Sequence, residues 1–337
     1  MTSITVIIPC YNYGRYLTAC VASVLGQQAC AARVLIIDDA STDDSATVAR
    51  ALAAQHTQVD VLVHAVNRGH IATYNEGIDR VGTDYLLILS ADDLLAQGAL
   101  ARAITLLDAN PRVAFVYGRA LRFTDRPPAA PSAAECGPAR IQPGADFIRM
   151  LCDDPTNPVE TATAVVRTSA QRRVGGYLPE LPHAGDFELW LRLAAEGDVG
   201  RIDALQAYTR LHGANMRNQY LADRMLGDFT QRHAAFRCFF DTCRDRLDAG
   251  AALESLAARR LAAEVLWAAA HTFEDGSVAD MRRLCALART IHPTVRRTRQ
   301  WWTLSAKLLL GQRGWRRIEP VARRLRGGGL PATGRTT

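Results

Sequence analysis

The sequence predicts an α/β fold: a mainly parallel central sheet covered by helices, followed by a C-terminal α-helical region. Three observations carry this. Over the first 123 residues, short apolar runs alternate with segments of helical spacing. The runs are continuously apolar rather than alternating, as expected of strands buried on both faces of a parallel sheet. Beyond about residue 216 only helical patterns remain.

The elements follow in order. "ITVIIPC" reads as a first strand and "YLTACVASVLGQQ" as a helix. "RVLIIDD" is a second strand, and "DSATVARALAAQ" a second helix that Ser41 or Thr42 could cap. "VDVLVHA", the short helix "IATYNEGIDRV" and the strand "DYLLILS" come next. "QGALARAITLLDANP" is a helix closed by Asn110-Pro111, and "VAFVYGRALRF" is again a strand. Crossovers are expected to be right-handed. The Pro/Ala-rich "TDRPPAAPSAAECGP" reads as a surface loop, and a less regular α+β stretch runs on to about residue 216. The helical region extends from 216 to 326, and the tail "GGGLPATGRTT" (327–337) is expected to be disordered. The predicted domains are a catalytic domain over 1–215, divided near 105 into a nucleotide-binding half and an acceptor and base half, and the helical region over 216–326.

Bulk properties narrow the function. The chain has 337 residues, 48% of them hydrophobic, enough for a sizeable core. No apolar run reaches the roughly 18 residues of a membrane-spanning helix. The N-terminus "MTSITVIIPCYN" lacks a basic segment and a cleavage site and reads as a strand. Eight cysteines without C-x-x-C spacing argue against zinc and a disulfide framework and fit a reducing cytoplasm. Cys238 and Cys243 read as helix-face packing, with a thiol pair as the alternative. The net charge is +6, and Lys307 is the only lysine among 40 basic residues. Ten basic residues and one acid, Glu319, fall between Arg296 and Arg326.

Ligands of open α/β sheets bind beyond the carboxyl ends of the strands. The first strand ends in Pro9-Cys10-Tyr11-Asn12, the second in Asp38-Asp39 and the fourth in Ser90-Ala91-Asp92-Asp93. If these strands are neighbours, about four carboxylates and a tyrosine share one rim. Crowded like charges are costly unless a cation lies among them. Mg²⁺ or Mn²⁺ prefers oxygen ligands, and Mg²⁺ completes its shell with water and substrate phosphates. The dinucleotide fingerprint and the P-loop are both missing. A metal-bound phosphate ligand is therefore expected. Asp43 and Asp44, by contrast, read as helix N-terminal acids.

Six segments, "VIIPCYNYGRYLTACVASVLGQQ", "VLIIDDASTDDS", "NRGHIATYNEGI", "YLLILSADD", "TAVVRTSAQRRVGGYLPELPHAGDFELWLRLA" and "YTRLHGAN", resemble in order and spacing the glycosyltransferase family 2 group, whose fold is GT-A. The resemblance covers roughly residues 1–215. It implies an inverting, metal-dependent enzyme that moves one sugar from a nucleoside diphosphate donor, UDP-linked, to a hydroxyl of a glycan or lipid-linked acceptor. The setting it implies is cell-surface glycan or polysaccharide biosynthesis. Pro9 and Tyr11 fall at the nucleotide site, Tyr11 on the base. Asp39 resembles the acid that binds the uracil N–H, and Asp92 the acid that contacts the ribose. Asp93 is similar to the metal ligand of the D-x-D element, for Mn²⁺ or Mg²⁺, and Asp186 to the catalytic base. His212 lies where members carry a residue near the metal and diphosphate; a structural histidine is the other reading. Asn67 and Arg68 lie in a loop that could face the donor. Two departures stand out: Ser90 occupies the first acid position of the D-x-D element, and Gly185 the acid position before the base. No Q-x-x-R-W motif of processive synthases is present, which argues for transfer of single sugars.

Neighbouring residues have expected supporting roles. Gly175-Gly176 provide a turn before the base, Trp190 an apolar wall for it, and Arg192 a partner for phosphate or for a structural acid. The segment "RRTRQWWTLSAKLLLGQRGWRRIEPVARRLR" can lie as a basic amphipathic helix on the inner face of an anionic membrane; the alternative is a solvated helical bundle. Its aromatics are not spaced as base-stacking platforms, so no nucleic acid is expected. Other classes weighed are a sugar nucleotidyltransferase, a non-catalytic nucleotide-sugar-binding protein, and a phosphoacceptor domain. The last is disfavoured because Lys307 lies far outside the sheet.

Overall fold

The computed structural model describes residues 2–27, 31–130, 137–213, 215, 220 and 225–326. Cys30, Cys136, much of the Pro/Ala-rich segment and the tail from 327 lie outside the described residues. The chain forms two compact units, one of Met1–Gln219 with Ala234–Ala257, the other of Tyr220–His233 with Ala258–Thr337. The C-terminal helical region is thus shared between the units.

The first unit opens with β1 (Ser3–Cys10), α1 (Gly14–Leu25), β2 (Ala31–Asp38), α2 (Ser45–Gln55), β3 (Val59–Val63), α3 (His70–Asp79) and β4 (Tyr85–Ile88). There follow β5 (Leu94–Leu95), α4 (Ala99–Ala109), β6 (Val113–Phe123), β7 (Arg140–Gln142), α5 (Gly144–Asp153), β8 (Val165–Arg167), α6 (Thr168–Val174), α7 (Gly185–Glu196) and β9 (Asp198–Arg210). The strands form one sheet in the order β3-β2-β1-β4-β8-β6-β9-β5, with β7 paired to β9. The stretch β3-β2-β1-β4 is parallel, and β6 is parallel to β9. Strand β8 runs antiparallel to both β4 and β6 and joins the two parallel parts. Both faces of β1 are covered: Ile4, Val6, Ile7 and Ile8 are fully buried. This is why the strand reads as an unbroken apolar run.

The first strands and helices fall where sequence periodicity places them. The cap of α2 does not. Ser41 Oγ accepts the Asn12 N–H at 2.9 Å, and the Thr42 N–H goes to Asn12 Oδ1 at 2.8 Å. Asp43 serves the first turn instead, accepting the Ser45 N–H at 2.9 Å and the Gly14 N–H at 3.2 Å. Burial opposes its charge, but these hydrogen bonds outweigh that and hold its carboxyl below the usual range. One carboxylate thereby ties the starts of α1 and α2 together. Cys10, Cys20, Cys152, Cys238, Cys243 and Cys285 are free thiols. Cys238 and Cys243 lie on α8 (Leu226–Cys243), where Cys243 is buried.

In the second unit, α10 (Val278–Ile291) buries Met281, Leu284, Ala288 and Ile291. Lys307 is almost fully buried, 5.0 Å from the Phe273 ring centre and 5.5 Å from that of Trp315. The basic segment of α11 (Arg299–Arg326) is broken at Gly311, whose φ of 64° lies in the left-handed region. Trp302, Leu309 and Leu310 are exposed on it, while Leu304 and Trp315 are buried. Among the described residues, no helix is long and apolar enough to cross a membrane.

Helices α5 and α7 approach so closely that only glycine fits at residue 144. A Cβ there would meet Ala194 O at 1.8 Å and Gly197 O at 2.4 Å, both backbone atoms. Gly144→Ala is expected to cost about 1–3 kcal/mol, read as a lower urea midpoint at unchanged slope. Gly82→Ala, whose Cβ would meet nothing within 4 Å, is the neutral control.

Candidate active site

Strand β1 lies between β2 and β4, in register Cys10↔Asp38 and Ile7↔Ile88. Parallel pairing puts all three carboxyl ends on one rim. There they open onto a crevice of about 740 Å³ lined by Pro9, Tyr11, Asp39, Asn67 and Asp92 among others. Five of the predicted donor-site residues are therefore brought together. Tyr11 is 47% exposed, a free ring face at the mouth. Arg68, Asp93, His212 and Asp186 do not line the crevice, although each is tied to residues at its edge or in the same electrostatic field, as follows.

The two acids after β2 divide their work. Asp38 is buried and accepts the Ser41 N–H at 3.1 Å; its Oδ1 has no hydrogen-bond partner among the described residues. Asp39 faces the crevice and holds the loop after β3. Its Oδ1 accepts the Arg68 N–H and its Oδ2 the Gly69 N–H, each at 2.8 Å. His64 Nδ1 lies 2.7 Å from Asp39 Oδ1, and His64 Nε2 lies 3.1 Å from Glu76 Oε2. The imidazole thus bridges the two carboxylates. Burial opposes the charge of Asp39, but His64 and the two N–H groups hold its carboxyl below the usual range. Asn67 donates to Asp39 O at 3.1 Å, whereas the Arg68 guanidinium turns to Glu76. Asn12 and Ala40, which follow the ends of β1 and β2, have φ of 60° and 58°. Left-handed backbone at two non-glycine residues on this rim is local strain of the kind that collects at functional sites.

Asp92 and Asp93 follow β4 and are both nearly buried. His212 Nε2 lies 2.9 Å from Asp92 Oδ2, and the imidazole packs against the rings of Tyr13 and Tyr16. Asp93 Oδ1 accepts the Arg210 N–H at 2.9 Å. Burial, with the adjacent charge of Asp92, pushes the Asp93 carboxyl well above its usual range. A cation would remove that cost, and the oxygen donors suit a hard one. Among the described residues, no group of three or more His, Cys, Asp or Glu side chains is placed to hold a metal. A cation placed at this rim would need further ligands from water or phosphate oxygens.

Asp186 stands in the first turn of α7, where the Phe187 N–H meets its Oδ1 at 2.7 Å and Asn157 Nδ2 donates to its Oδ2 at 2.9 Å. Burial lifts its pKa to about 6, against the Phe187 hydrogen bond, which lowers it. Tyr74 links it to the crevice that it lines: burial, then the charges of Asp186, Asp92 and Asp93, push its phenol far up. Helix α3 also grips the segment before Asp186. Asn75 exchanges two hydrogen bonds with the Tyr177 backbone, at 2.7 and 2.9 Å, and His70 Nε2 donates to Pro182 O at 2.9 Å. Gly175, with φ of 80°, makes the turn, and a Cβ on Gly176 would strike Asn75 Oδ1 at 2.2 Å.

The structure places two of the supporting residues on the helix of Asp186. Trp190 is in the core, stacked on Phe115 at 5.3 Å. Arg192 serves a structural acid: its guanidinium meets the fully buried Glu188 at 2.7 Å and donates to Gly176 O at 2.8 Å. His64, His70, Tyr74, Asn75, Asn157 and Arg210 carry the geometry without having been singled out. Only their places in the quoted segments "NRGHIATYNEGI" and "YTRLHGAN" marked four of them. Cys10 also lines the crevice, but burial pushes its thiol up to about 11, so it stays neutral.

A largely parallel sheet with acids on the carboxyl rim of its second and fourth strands, on either side of the end of the first, is the architecture of GT-A glycosyltransferases. The chain belongs to glycosyl transferase family 2, whose model matches residues 5–173, half of the sequence. Among curated proteins it is 35% identical over 98 residues to glycosyltransferase GlyG of Streptococcus pneumoniae, covering 29% of this chain and 32% of that one. It is 33% identical over 138 residues to the succinoglycan biosynthesis protein ExoU of Rhizobium meliloti, covering 37% and 40%. The chain thus spans less than half the length of either relative. Among solved structures, S. aureus TarS 1-349 in complex with UDP-GlcNAc superposes with a TM-score of 0.61 at 15% identity, covering 88% of this chain and 92% of that one. The mannosyltransferase PcManGT of Pyrobaculum calidifontis, in complex with GDP-Man and Mn²⁺, gives 0.53 at 20% identity, covering 91% and 84%. At these identities the likeness shows the fold.

The Glu188–Arg192 pair anchors α7, which carries Asp186, to the Gly175-Gly176 turn. Arg192→Met strands a buried carboxylate that burial already penalises, and is expected to cost about 3–5 kcal/mol in urea unfolding. Removing both charges, as Glu188→Leu with Arg192→Met, is expected to recover part of that loss.

Proposed function

We propose that the crevice binds a nucleoside diphosphate sugar and that the protein transfers its sugar to an acceptor hydroxyl with inversion. The observation that carries this reading is the convergence of Tyr11, Asp39, Asn67 and Asp92 on one crevice, with Tyr74 in reach of the rim acids and of Asp186. Family membership supports it, as do the nucleotide sugars held by the two structures of this fold. Tyr11 offers a ring to the base. Asp39 has three of its roughly four acceptor positions filled, which leaves one on Oδ2 for a ring N–H such as that of uracil. Asp92 is assigned to the ribose. Asp93, with Asp92 beside it, would hold a divalent cation, Mn²⁺ or Mg²⁺. When bound, that ion neutralises charge developing on the departing diphosphate.

Asp186 takes the proton of the acceptor hydroxyl. The acceptor oxygen forms its bond to the anomeric carbon as the bond to the diphosphate oxygen breaks. The electron pair leaves with the nucleoside diphosphate. A single displacement inverts that carbon. Asn157 holds one carboxylate oxygen of Asp186, so the other is aimed by geometry as well as by α7. The wider setting proposed is glycan or polysaccharide synthesis. The exposed Trp302, Leu309 and Leu310 on a basic segment favour an anionic membrane surface as the place where a lipid-linked acceptor is met.

Two measurements test this. Asp186→Asn is expected to lower turnover by about 10²–10⁴-fold with nucleotide binding intact. Wild-type activity is expected to rise with pH through about 6, because the base must be ionised. The linkage has the opposite sign. The folded state holds this proton more tightly than the unfolded chain, so the carboxyl lowers stability progressively from about pH 4 to about pH 6. Asp186→Asn should therefore be no less stable than wild type at pH 8, and unfolding of the variant there would show a structural role instead. Calorimetric titration of UDP, GDP and dTDP with and without Mn²⁺ is expected to show metal-dependent binding of one nucleotide, lost in Asp93→Ala. Metal-independent binding, unchanged in the variant, would remove Asp93 from the metal site.

A further inference from the structure

A second cavity of about 410 Å³ is walled by Tyr117, Arg119, Leu121, Met150, Glu160 and Arg201 among others. Its chemistry is the reverse of the donor crevice. Apart from Glu160 its lining carries no acid, and its cations are arginines. The register across three strands sets Tyr117, Arg201 and Arg140 side by side in one row. Neighbours in such a row project from the same face of a sheet, and like charges placed there repel. Arg119 is balanced by Asp203 at 3.5 Å, and Arg122 by Glu160 at 2.6 Å. Arg140 and Arg201 are exposed, and among the described residues neither guanidinium makes an ion pair or a hydrogen bond. Two positive charges are left facing this side of the sheet.

The cavity also adjoins the reaction centre. Pro158 and Glu160 form part of its wall, and Asn157, the next residue along, donates to Asp186. The charge of Glu160 is among those that raise the carboxyls of both Asp186 and Asp93. One side of the 157–160 segment therefore holds the proposed base while the other faces the arginines.

We propose that this cavity is the acceptor subsite and that it takes a phosphate-bearing saccharide or polyol, with the phosphate on Arg201 and Arg140 and a hydroxyl directed to Asp186. Guanidinium forks match phosphate oxygens in pairs. Tyr117, Leu121 and Met150 offer apolar surface to the carbon skeleton between the two ends. The proposal rests on the reading of Asp186 as the base of sugar transfer.

The test is binding of glucose 6-phosphate and of glucose to wild type and to Arg140→Gln with Arg201→Gln, with and without saturating UDP and Mn²⁺. Both arginines are exposed, so the variant should keep the wild-type melting curve. Glucose 6-phosphate is expected to bind at least about tenfold more tightly than glucose, and the variant to lose that margin while keeping nucleotide affinity. Equal binding of the two sugars, or a variant indistinguishable from wild type, would overturn the assignment. Nucleotide affinity is read in the same samples. If no nucleotide binds but the arginine-dependent phosphate binding holds, the transferase reading fails and the anion site stands. If nucleotides bind and phosphate does not, the acceptor class is wrong and the donor reading stands.

Discussion

The parallel pairing of β1 with β2 on one side and β4 on the other is the constraint from which the rest follows. It forces three strand ends, and the four carboxylates that follow two of them, onto one rim. Each is settled by a different device. Asp38 turns inward to a backbone N–H. Asp39 is bound by an imidazole and two N–H groups. Asp92 has the His212 ring, and Asp93 has one backbone N–H from Arg210. The order of compensation matters. Asp39 is held ionised, whereas Asp93 is left with its charge poorly satisfied. An acid that is buried, paired with a like charge and only partly compensated is the place where a cation gains most.

Helix α3 converts that rim into a site with two ends. Its N-terminal loop is pinned by Asp39, and the helix holds the segment before Asp186 through His70, Tyr74 and Asn75. Glycine at 176 is required because Asn75 occupies the space of a side chain there. Arg192 closes the arrangement from the other side by joining Glu188 of α7 to the carbonyl of Gly176. The distance between the rim and Asp186 is thus set by short polar contacts between rigid elements rather than by long loops, which is what the proposed reaction, sensitive to ångström errors in position, would require.

The nucleotide half was readable in the sequence because its strands are buried on both faces and its acids stand directly after them. The other half was not, for physical reasons that can be named. Strand β9 alternates polar and apolar residues, and its pairing with β6 shifts register at Gly118 and Arg119, so it carries no continuous signal. Strands β5 and β8 span only two and three residues. Asp186 was found by its motif, but Asn157, which orients it, lies 29 residues earlier in an irregular segment. His64 was invisible because a histidine at a strand end has no pattern; only the fold shows that it spans Asp39 and Glu76. Trp190 and Arg192 lie on the helix of the base, where sequence spacing alone does not distinguish a catalytic wall from core packing.

Charge separation between the two cavities is the last consequence of this topology. The parallel half gathers acids at its strand ends, so the diphosphate proposed to bind there would need a cation with it. The mixed half, built on β6, β9 and β7, gathers arginines in one row and needs no cation to receive an anion. Glu160 stands between the two, paired to Arg122, and its charge bears on Asp93 as well as on Asp186. Because that charge raises both carboxyls, any change that neutralises it should lower both together. Asp93 and Asp186, proposed as metal ligand and base, thus share one electrostatic neighbour in Glu160, and a change at that side chain reaches both.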